Sequence, residues 1–235
     1  MRVVVVRHHE EDDPGFVAEA FAAHGASLSV HRYPAGGPLP DPADVDHAVV
    51  LGAAWSVYDH GRVGSWIGDE MAWLRAVGTG DRGVLGICFG AQVLAAAYGG
   101  GVEPAGTVEI GWTDVEPVPA DRTGSTALAI PVDAVAPGPW LELHGDRCVL
   151  PPSATLLARN ELCAQAFTVG RCLGVQFHPE VDAAQLRRWL DHGSRDTVCA
   201  MGLDPDELVE RTRREEPLAR RRAARLVDAY LEACG

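Results

Sequence analysis

Apolar runs alternate with amphipathic segments along the first hundred residues. Residues 3–6 are four consecutive valines, which is typical of a strand buried on both faces of a parallel sheet. Residues 14–24 follow with apolar side chains at helical spacing, a proline near the start and Gly25 directly after the end. The pattern predicts a strand and then a helix that covers the sheet.

The same alternation continues through residue 98. Strands are predicted at residues 27–31, 47–51 and 84–87, a Pro/Gly-rich loop at 34–42, and a helix at 64–77. A further apolar segment after the last of these strands predicts another helix. Strands and helices that alternate at this spacing form βαβ units, so we expect a mostly parallel sheet with helices on both faces.

The pattern changes after residue 100, where short β-like runs are separated by many prolines and glycines. This change predicts a small antiparallel insertion or edge. The runs lie near residues 108–116, 140–143, 154–158, 163–169 and 172–177.

The C-terminal part of the chain is predicted to be helical. A helix is expected at residues 182–192, and a second one begins after Asp204, a good N-terminal cap. Pro217 is expected to break that helix, so that a third runs over residues 218–234. We expect residues 1–192 to form the main domain and 193–235 a helical extension packed on it.

Composition narrows the classes of partner. The formal net charge is −13, and this argues against nucleic acid or an anionic membrane as the main partner. The N-terminus lacks the features of a signal peptide, and the six cysteines form no CxxC pair, so we expect reduced thiols in the cytoplasm. All twenty basic residues are arginine, which excludes a lysine-dependent phosphate loop or Schiff base.

One short segment carries candidate chemistry. Gly-Ile-Cys-Phe-Gly, residues 86–90, connects a predicted strand to a predicted helix. Such a nucleophile elbow is a sharp turn that crowds the backbone, so both positions two residues from the cysteine favour glycine. The turn also places the Cys88 thiol at a helix N-terminus, where the helix dipole favours the thiolate.

A second segment supplies a candidate base. Phe-His-Pro-Glu, residues 177–180, follows an apolar strand-like run. A carboxylate two residues after His178 can bond one imidazole nitrogen while the other nitrogen faces a thiol. Since α/β sites lie at the carboxyl ends of strands, we expect Cys88, His178 and Glu180 to form one site.

Gly-Ile-Cys-Phe-Gly-Ala-Gln, followed some 90 residues later by Gln-Phe-His-Pro-Glu, resembles the class I (triad) glutamine amidotransferases. The resemblance covers roughly residues 45–185 and is closest to stand-alone proteins similar to the glutaminase domain of GMP synthase. It implies a flavodoxin-like α/β three-layer sandwich without a cofactor or metal. It also implies that Cys88 is the nucleophile, His178 the general acid/base, and Glu180 the residue that orients His178.

The resemblance extends to the oxyanion hole and the substrate contacts. Residues 51–56, Leu-Gly-Ala-Ala-Trp-Ser, stand where the family usually has Gly-Gly-Pro-x-Ser. The N–H groups of Ala53 and Phe89 would form the hole, which requires that the φ angle of Ala53 stay negative. Four further residues are expected to contact the substrate: Gly52, Gln92, Leu143 and His144.

Several alternatives stay open at this point. The expected activity is hydrolysis of the glutamine γ-carboxamide through a Cys88 thioester, with ammonia passed to a separate synthetase or released. A stand-alone γ-glutamyl peptidase would use the same triad, whereas a cysteine sensor or binding module would need neither His178 nor Glu180. The His-His-Glu-Glu-Asp-Asp segment, residues 8–13, is expected to be a solvated acidic loop rather than a metal site.

Overall fold

A computed structural model describes residues 1–119 and 127–235. Its ten strands within these ranges are β1 (Arg2–Arg7), β2 (Ser27–Arg32), β3 (His47–Val50), β4 (Gly83–Ile87), β5 (Gly101–Thr113), β6 (Glu116–Pro117), β7 (Trp140–Val149), β8 (Thr155–Arg159), β9 (Ala164–Val169) and β10 (Cys172–Val175). The α-helices are α1 (Gly15–Ala23), α2 (Ile67–Val77), α3 (Phe89–Ala97), α4 (Ala183–Trp189), α5 (Arg195–Ala200) and α6 (Pro205–Cys234).

Eight strands form one sheet in the order β2-β1-β3-β4-β10-β9-β8-β6. The first five are parallel to one another, and β9, β8 and β6 add an antiparallel edge. Strands β5 and β7 pair separately as a two-stranded antiparallel sheet. The predicted parallel core with a small antiparallel insertion and edge is confirmed.

The sheet is covered on both faces, as the valine run of β1 predicts. Val3 and Val5 pack in one apolar cluster with residues of α1 and α6, whereas Val4 and Val6 pack in another with residues of α2 and α3. Successive strand side chains point to opposite faces, so an uninterrupted apolar strand contributes to both layers. The three-layer flavodoxin-like arrangement follows.

The prediction that Pro217 ends a helix is wrong. Helix α6 runs without interruption from Pro205 to Cys234. Pro217 lies on its exposed face, as does Arg213, whose carbonyl would otherwise accept the missing hydrogen bond, so solvent can satisfy that oxygen. Buried Thr212 and Ala219 on either side of the proline hold both halves against the domain.

The segment between α4 and α5 is also irregular. Residues Leu190–Ser194 form a π-helical turn in which Gly193 has a φ of 137°. This turn redirects the chain, and its residues His192 and Ser194 reach the wall of the cavity described below. Among the described residues, no helix combines the length and apolar character needed to cross a membrane.

Candidate active site

Three neighbouring strands of the sheet end at one place. Strands β3, β4 and β10 are adjacent and parallel, and they are followed by Gly52, Cys88 and His178. All three residues line one cavity of about 600 Å³. The structure thus brings the two motifs together at the carboxyl edge of the sheet, and the roles of their residues stay predictions.

Cys88 occupies a strained turn between β4 and α3. Its φ and ψ are 50° and −106°, and it is the one non-glycine residue with positive φ among residues 1–119 and 127–235. Its backbone N–H donates to the Val175 carbonyl at 2.8 Å, and its carbonyl accepts from the backbone N–H of Gln92 at 3.1 Å. Non-glycine residues persist in such a conformation only where surrounding contacts impose it, and such residues cluster at functional sites.

The flanking glycines are required by close backbone packing. A Cβ on Gly86 would lie 2.6 Å from the Gly90 carbonyl oxygen, and one on Gly90 would lie 2.2 Å from the Val50 carbonyl oxygen. Both distances are far below van der Waals contact with backbone atoms, which cannot move aside cheaply. Helix α3 therefore packs so close to β3 and β4 that only glycine fits at residues 86 and 90. This close packing explains the Gly-x-Cys-x-Gly pattern.

His178 and Glu180 form a buried pair beside the thiol. The Nδ1 atom of His178 lies 2.8 Å from Glu180 Oε1, and the two side chains are only 4% and 1% exposed. The backbone N–H of His178 donates to the Leu141 carbonyl at 2.8 Å, which ties the segment after β10 to β7. With Nδ1 directed at Glu180, Nε2 remains for Cys88.

The electrostatics of this pair favour a charged imidazole. Burial alone lowers the pKa of His178, but Glu180, the Cys88 thiolate and their hydrogen bonds raise it well above its ordinary value. The arrangement therefore favours a protonated His178 imidazole beside Cys88. A thiolate is the nucleophilic form of cysteine, and an imidazolium can protonate a leaving group.

Backbone contacts fix the carboxylate end of the pair. The Glu180 carbonyl accepts from the Phe16 N–H at 3.0 Å, and a Cβ on Gly15 would come within 2.0 Å of the same carbonyl oxygen. Gly15 also has a φ of 39°, a conformation that favours glycine. The absence of a side chain therefore permits both this backbone conformation and the close contact with the Glu180 carbonyl. The start of α1 thus positions Glu180.

One wall of the cavity was not foreseen from the sequence. The Trp189 ring meets the His178 ring edge to face, with centroids 4.9 Å apart. Its indole N–H donates to Asp12 Oδ1 at 3.0 Å, and the backbone N–H of His9 donates to the other oxygen of Asp12 at 3.3 Å. Trp189 lies at the end of a predicted helix, where nothing in the sequence distinguishes it from a core tryptophan.

The segment at residues 8–13 differs from the expected solvated loop. His8 and Asp12 are buried, and His8 Nε2 lies 3.2 Å from Glu70 Oε2, with neither side chain exposed. The His8 ring also meets Phe89 edge to face, with centroids 5.0 Å apart. The expectation is wrong for His8 and Asp12, because the segment follows a central strand and so starts inside the domain, whereas Glu10 and Asp13 are exposed as expected.

The candidate oxyanion residues lie on two sides of Cys88. A Cβ on Gly52 would lie 3.1 Å from His178 Cε1 and 3.6 Å from Cys88 Cβ. Ala53 follows Gly52 at the cavity wall, and its φ is not positive, which meets the condition set for a backbone donor there. Phe89 is the first residue of α3, so its N–H is among those that lack a partner within the helix.

The four expected substrate contacts all lie at the cavity. Gly52, Gln92, Leu143 and His144 line it. The Gln92 amide is nearly buried and donates to Gln176 Oε1 at 3.4 Å.

One further wall residue was missed: Asp146 accepts hydrogen bonds from the Ser56 hydroxyl at 2.5 Å and the Tyr58 hydroxyl at 2.7 Å. These bonds link the loop after β3 to β7 across the cavity.

Comparisons with known proteins point to one family. The family model for glutamine amidotransferase class-I matches residues 16–190. The GMP synthase [glutamine-hydrolyzing] of Nitrosomonas eutropha is 38% identical over 145 residues, which are 54% of this chain and 26% of that protein. That of Alkalilimnicola ehrlichii is 36% identical over 149 residues, 56% of this chain and 27% of that protein. The chain thus spans about a quarter of the length of these relatives.

Solved structures match over the whole chain. A glutamine amidotransferase from Thermotoga maritima superposes with a TM-score of 0.84 at 27% identity, covering 99% of this chain and 98% of that one. A glutamine amido transferase from Methylobacillus flagellatus has the same TM-score at 23% identity, and the match covers 99% of this chain and 94% of that one. This likeness supports the fold.

Proposed function

Because the chain belongs to the class I glutamine amidotransferase family, we propose that it hydrolyses the γ-carboxamide of glutamine through a thioester on Cys88. The observation that carries the proposal is the strained Cys88 turn beside the buried His178–Glu180 pair. The fold and the family are those of glutamine-hydrolysing domains, and the three side chains occupy positions suited to nucleophile, acid/base and orienting group.

The proposed first half-reaction forms the thioester. The Cys88 thiolate attacks the γ-carbonyl carbon, and the N–H groups of Ala53 and Phe89 hold the oxygen that becomes negative. His178 gives its Nε2 proton to the amide nitrogen as the carbon–nitrogen bond breaks. Ammonia leaves, and a γ-glutamyl thioester and a neutral imidazole remain. Glu180 keeps the Nδ1 proton in place, so the tautomer stays correct throughout.

The second half-reaction reverses the proton transfer. Neutral His178 takes a proton from water as the water oxygen attacks the thioester carbon. The carbon–sulfur bond then breaks, and glutamate and the Cys88 thiolate are released beside a protonated His178. Gln92 and the backbone of Leu143 and His144 would hold the rest of the substrate in both steps. Glutamine, water and these residues are enough to balance both steps, and the proton of the new γ-carboxyl group passes to solvent.

The ammonia has two possible fates. The matched relatives are GMP synthases [glutamine-hydrolyzing], so we propose that a synthetase receives the ammonia. Free release is the alternative. A pull-down that recovers a synthetase, together with a rise in glutaminase turnover when that protein is added, would favour transfer.

A second candidate substrate class is favoured by the size of the cavity. Glutamine has ten non-hydrogen atoms and fills roughly 200 Å³ at protein packing densities, whereas the cavity holds about 600 Å³. Trp189, His192 and Asp12 are among the residues that line the cavity. A γ-glutamyl amide with a larger amine would fit there. Comparing kcat/KM for glutamine with that for γ-glutamyl peptides decides between the two.

The test of the proposal is a glutaminase assay on matched cysteine variants. Cys88→Ala is expected to abolish release of glutamate and ammonia while leaving the circular dichroism spectrum and Tm close to wild type. Cys199→Ala removes an exposed cysteine and serves as the control that keeps full activity. Retention of activity by Cys88→Ala would reject the proposal.

A further inference from the structure

A buried group of metal-ligating side chains adjoins the cavity wall and takes no part in the steps above. In the β5–β7 pair Glu109 lies directly opposite His144, and Glu142 precedes His144 by two residues on the same face of β7. Cys163 directly precedes β9. One possible ligand atom each from Glu109, His144 and Cys163 lie within 4.8 Å of one another. We call the four residues the donor cluster: Glu109, Glu142, His144 and Cys163.

The His144 ring has the surroundings of a metal ligand. Its Nδ1 lies 2.9 Å from the Asp146 carbonyl oxygen, which only accepts, so Nδ1 carries a proton. Its Nε2 lies 3.1 Å from Glu109 Oε2 and 3.2 Å from Glu142 Oε2. Neither oxygen lies in line with an N–H bond on Nε2, which has no hydrogen-bond partner among the described residues. A histidine that binds a metal through one nitrogen almost always donates its other N–H to a carbonyl, a carboxylate or water.

Glu142 shows the same lack of a partner. Its side chain is 0% exposed, and neither carboxylate oxygen has a hydrogen-bond donor within residues 1–119 and 127–235. A buried carboxylate is unfavourable unless a proton or a cation neutralises it. Burial also raises the pKa of Glu142, which makes a proton the competing occupant. A proton serves one of these unpartnered atoms, whereas a divalent cation bonds several at once.

Two amide side chains hold the remaining members in place. Asn160 donates to Glu109 Oε1 at 2.5 Å and accepts from the backbone N–H of Cys163 at 3.0 Å. Gln165 donates to Glu109 Oε2 at 3.0 Å and to Cys163 Sγ at 3.5 Å. These bonds orient the carboxylate and the thiol from outside the cluster, as outer-shell bonds do around metal ligands.

The donor set selects the kind of ion. An imidazole nitrogen, a cysteine sulfur and carboxylate oxygens suit Zn²⁺ rather than Ca²⁺ or Mg²⁺, which prefer oxygen alone. Zinc bonds of about 2.0–2.3 Å place tetrahedral ligand atoms roughly 3.3–3.7 Å apart. The separations of 3.1 and 3.2 Å at His144 Nε2 are close to this range. The trio that includes Cys163 lies within 4.8 Å and needs to contract by about 1 Å at most.

We propose that the donor cluster is a zinc site in which Glu109, His144 Nε2 and Cys163 Sγ bind the ion. Glu142, whose Oε2 adjoins Nε2, supplies the fourth ligand. The Cys163 S–H bond breaks as the zinc–sulfur bond forms, and its proton passes to solvent. The ion joins the β5–β7 sheet to the start of β9 and so braces the wall that carries Leu143. Such a site goes beyond the family resemblance, which implies no metal.

The test is Co²⁺ binding to reduced protein that a chelator has stripped of metal, because a cobalt–thiolate bond gives a charge-transfer band in the near ultraviolet. Wild-type protein is expected to bind an equimolar amount of Co²⁺ with this band, and Zn²⁺ to displace it. Since loss of an outer-shell partner weakens metal binding about 10- to 100-fold, Cys163→Ser is expected to lose the band and to weaken Zn²⁺ binding by about 100-fold or more. Cys199→Ala removes an exposed cysteine and is the control that keeps both.

Cys88→Ala separates this site from the catalytic pair, since Cys88 and His178 can also hold a metal. The inference predicts that Cys88→Ala keeps the band, and loss of the band in that variant would overturn it. A band that survives in Cys163→Ser, or wild-type protein that takes up no equimolar metal, would overturn it as well.

If Cys163→Ser does not fold, anomalous diffraction at the zinc edge from wild-type crystals decides. An anomalous peak among Glu109, His144 and Cys163 supports the inference, and a peak elsewhere, or none, overturns it. Glutamine is absent from all these measurements. A chain that binds zinc in the donor cluster but hydrolyses no glutamine therefore rejects only the proposed function.

Discussion

Replacing Glu180 by Gln tests the electrostatic part of the mechanism with almost no change of shape. The carboxylate lies 2.8 Å from His178 Nδ1 and is 1% exposed, so water cannot take its place. A hydrogen bond to a charged group contributes about 1.5–3 kcal/mol. Losing that bond destabilises the charged form of the ring, so the pKa of His178 is expected to fall.

The sign of the pH effect follows from that change. In the wild-type protein the pKa of His178 is raised, so the imidazolium is present below that pKa and is lost as pH rises through it. In Glu180→Gln the loss begins at lower pH. The alkaline limb of the kcat/KM profile should therefore move to lower pH. In addition, kcat should fall by up to about 150-fold, the factor that corresponds to about 3 kcal/mol lost from the step in which His178 becomes charged.

The assay is continuous glutamate release between pH 6 and 10, with thermal unfolding measured in parallel. Glu19→Gln is the control, since Glu19 forms an exposed ion pair with Arg220 and its loss should leave kcat and the profile unchanged. An alkaline limb that does not move in folded Glu180→Gln would refute the reasoning, whatever the change in kcat.

Three other substitutions probe the packing around the site. Gly52→Ala places a methyl group 3.1 Å from His178 Cε1, so kcat should fall about 10-fold with little change in Tm; unaltered kinetics would contradict the placement. Gly90→Ala drives a methyl group to 2.2 Å from the Val50 carbonyl oxygen, and urea unfolding should show a loss of about 3 kcal/mol or more. Trp189→Phe keeps a ring beside His178 but loses the indole hydrogen bond, so stability should fall by about 1 kcal/mol.

Local patterns were sufficient to predict the parallel core and the meeting of the two motifs. The valines of β1 are apolar on both faces, and strand ends in a parallel sheet share one edge, so Cys88 and His178 had to lie close together. The elbow was predictable because its glycines reflect short-range crowding around Cys88.

Features that depend on distant packing were not predictable. Pro217 breaks helices in isolation, but here tertiary contacts on both sides of it outweigh the missing hydrogen bond. His8 reads as part of a polar run, and its burial depends on distant residues such as Glu70 of α2, whose Oε2 lies 3.2 Å from His8 Nε2. Glu109 lies opposite His144 because of the register that sets β5 against β7, which the local sequence does not reveal.

The division of the chain at residue 192 stays a prediction. The family model ends at residue 190, and helix α6 packs against α1 and α4. A chain truncated after residue 192 should lose stability, because it would expose the apolar surface that Leu226 and Tyr230 now cover.

The most direct measurement of the central claim is mass spectrometry of the protein quenched in acid during turnover of glutamine. The account predicts that the peptide containing Cys88 gains the mass of one γ-glutamyl group, that hydroxylamine removes it, and that Cys88→Ala never shows it. Glutamine hydrolysis by a protein in which Cys88 stays unmodified under all quench times, or an adduct on another cysteine, would contradict the account.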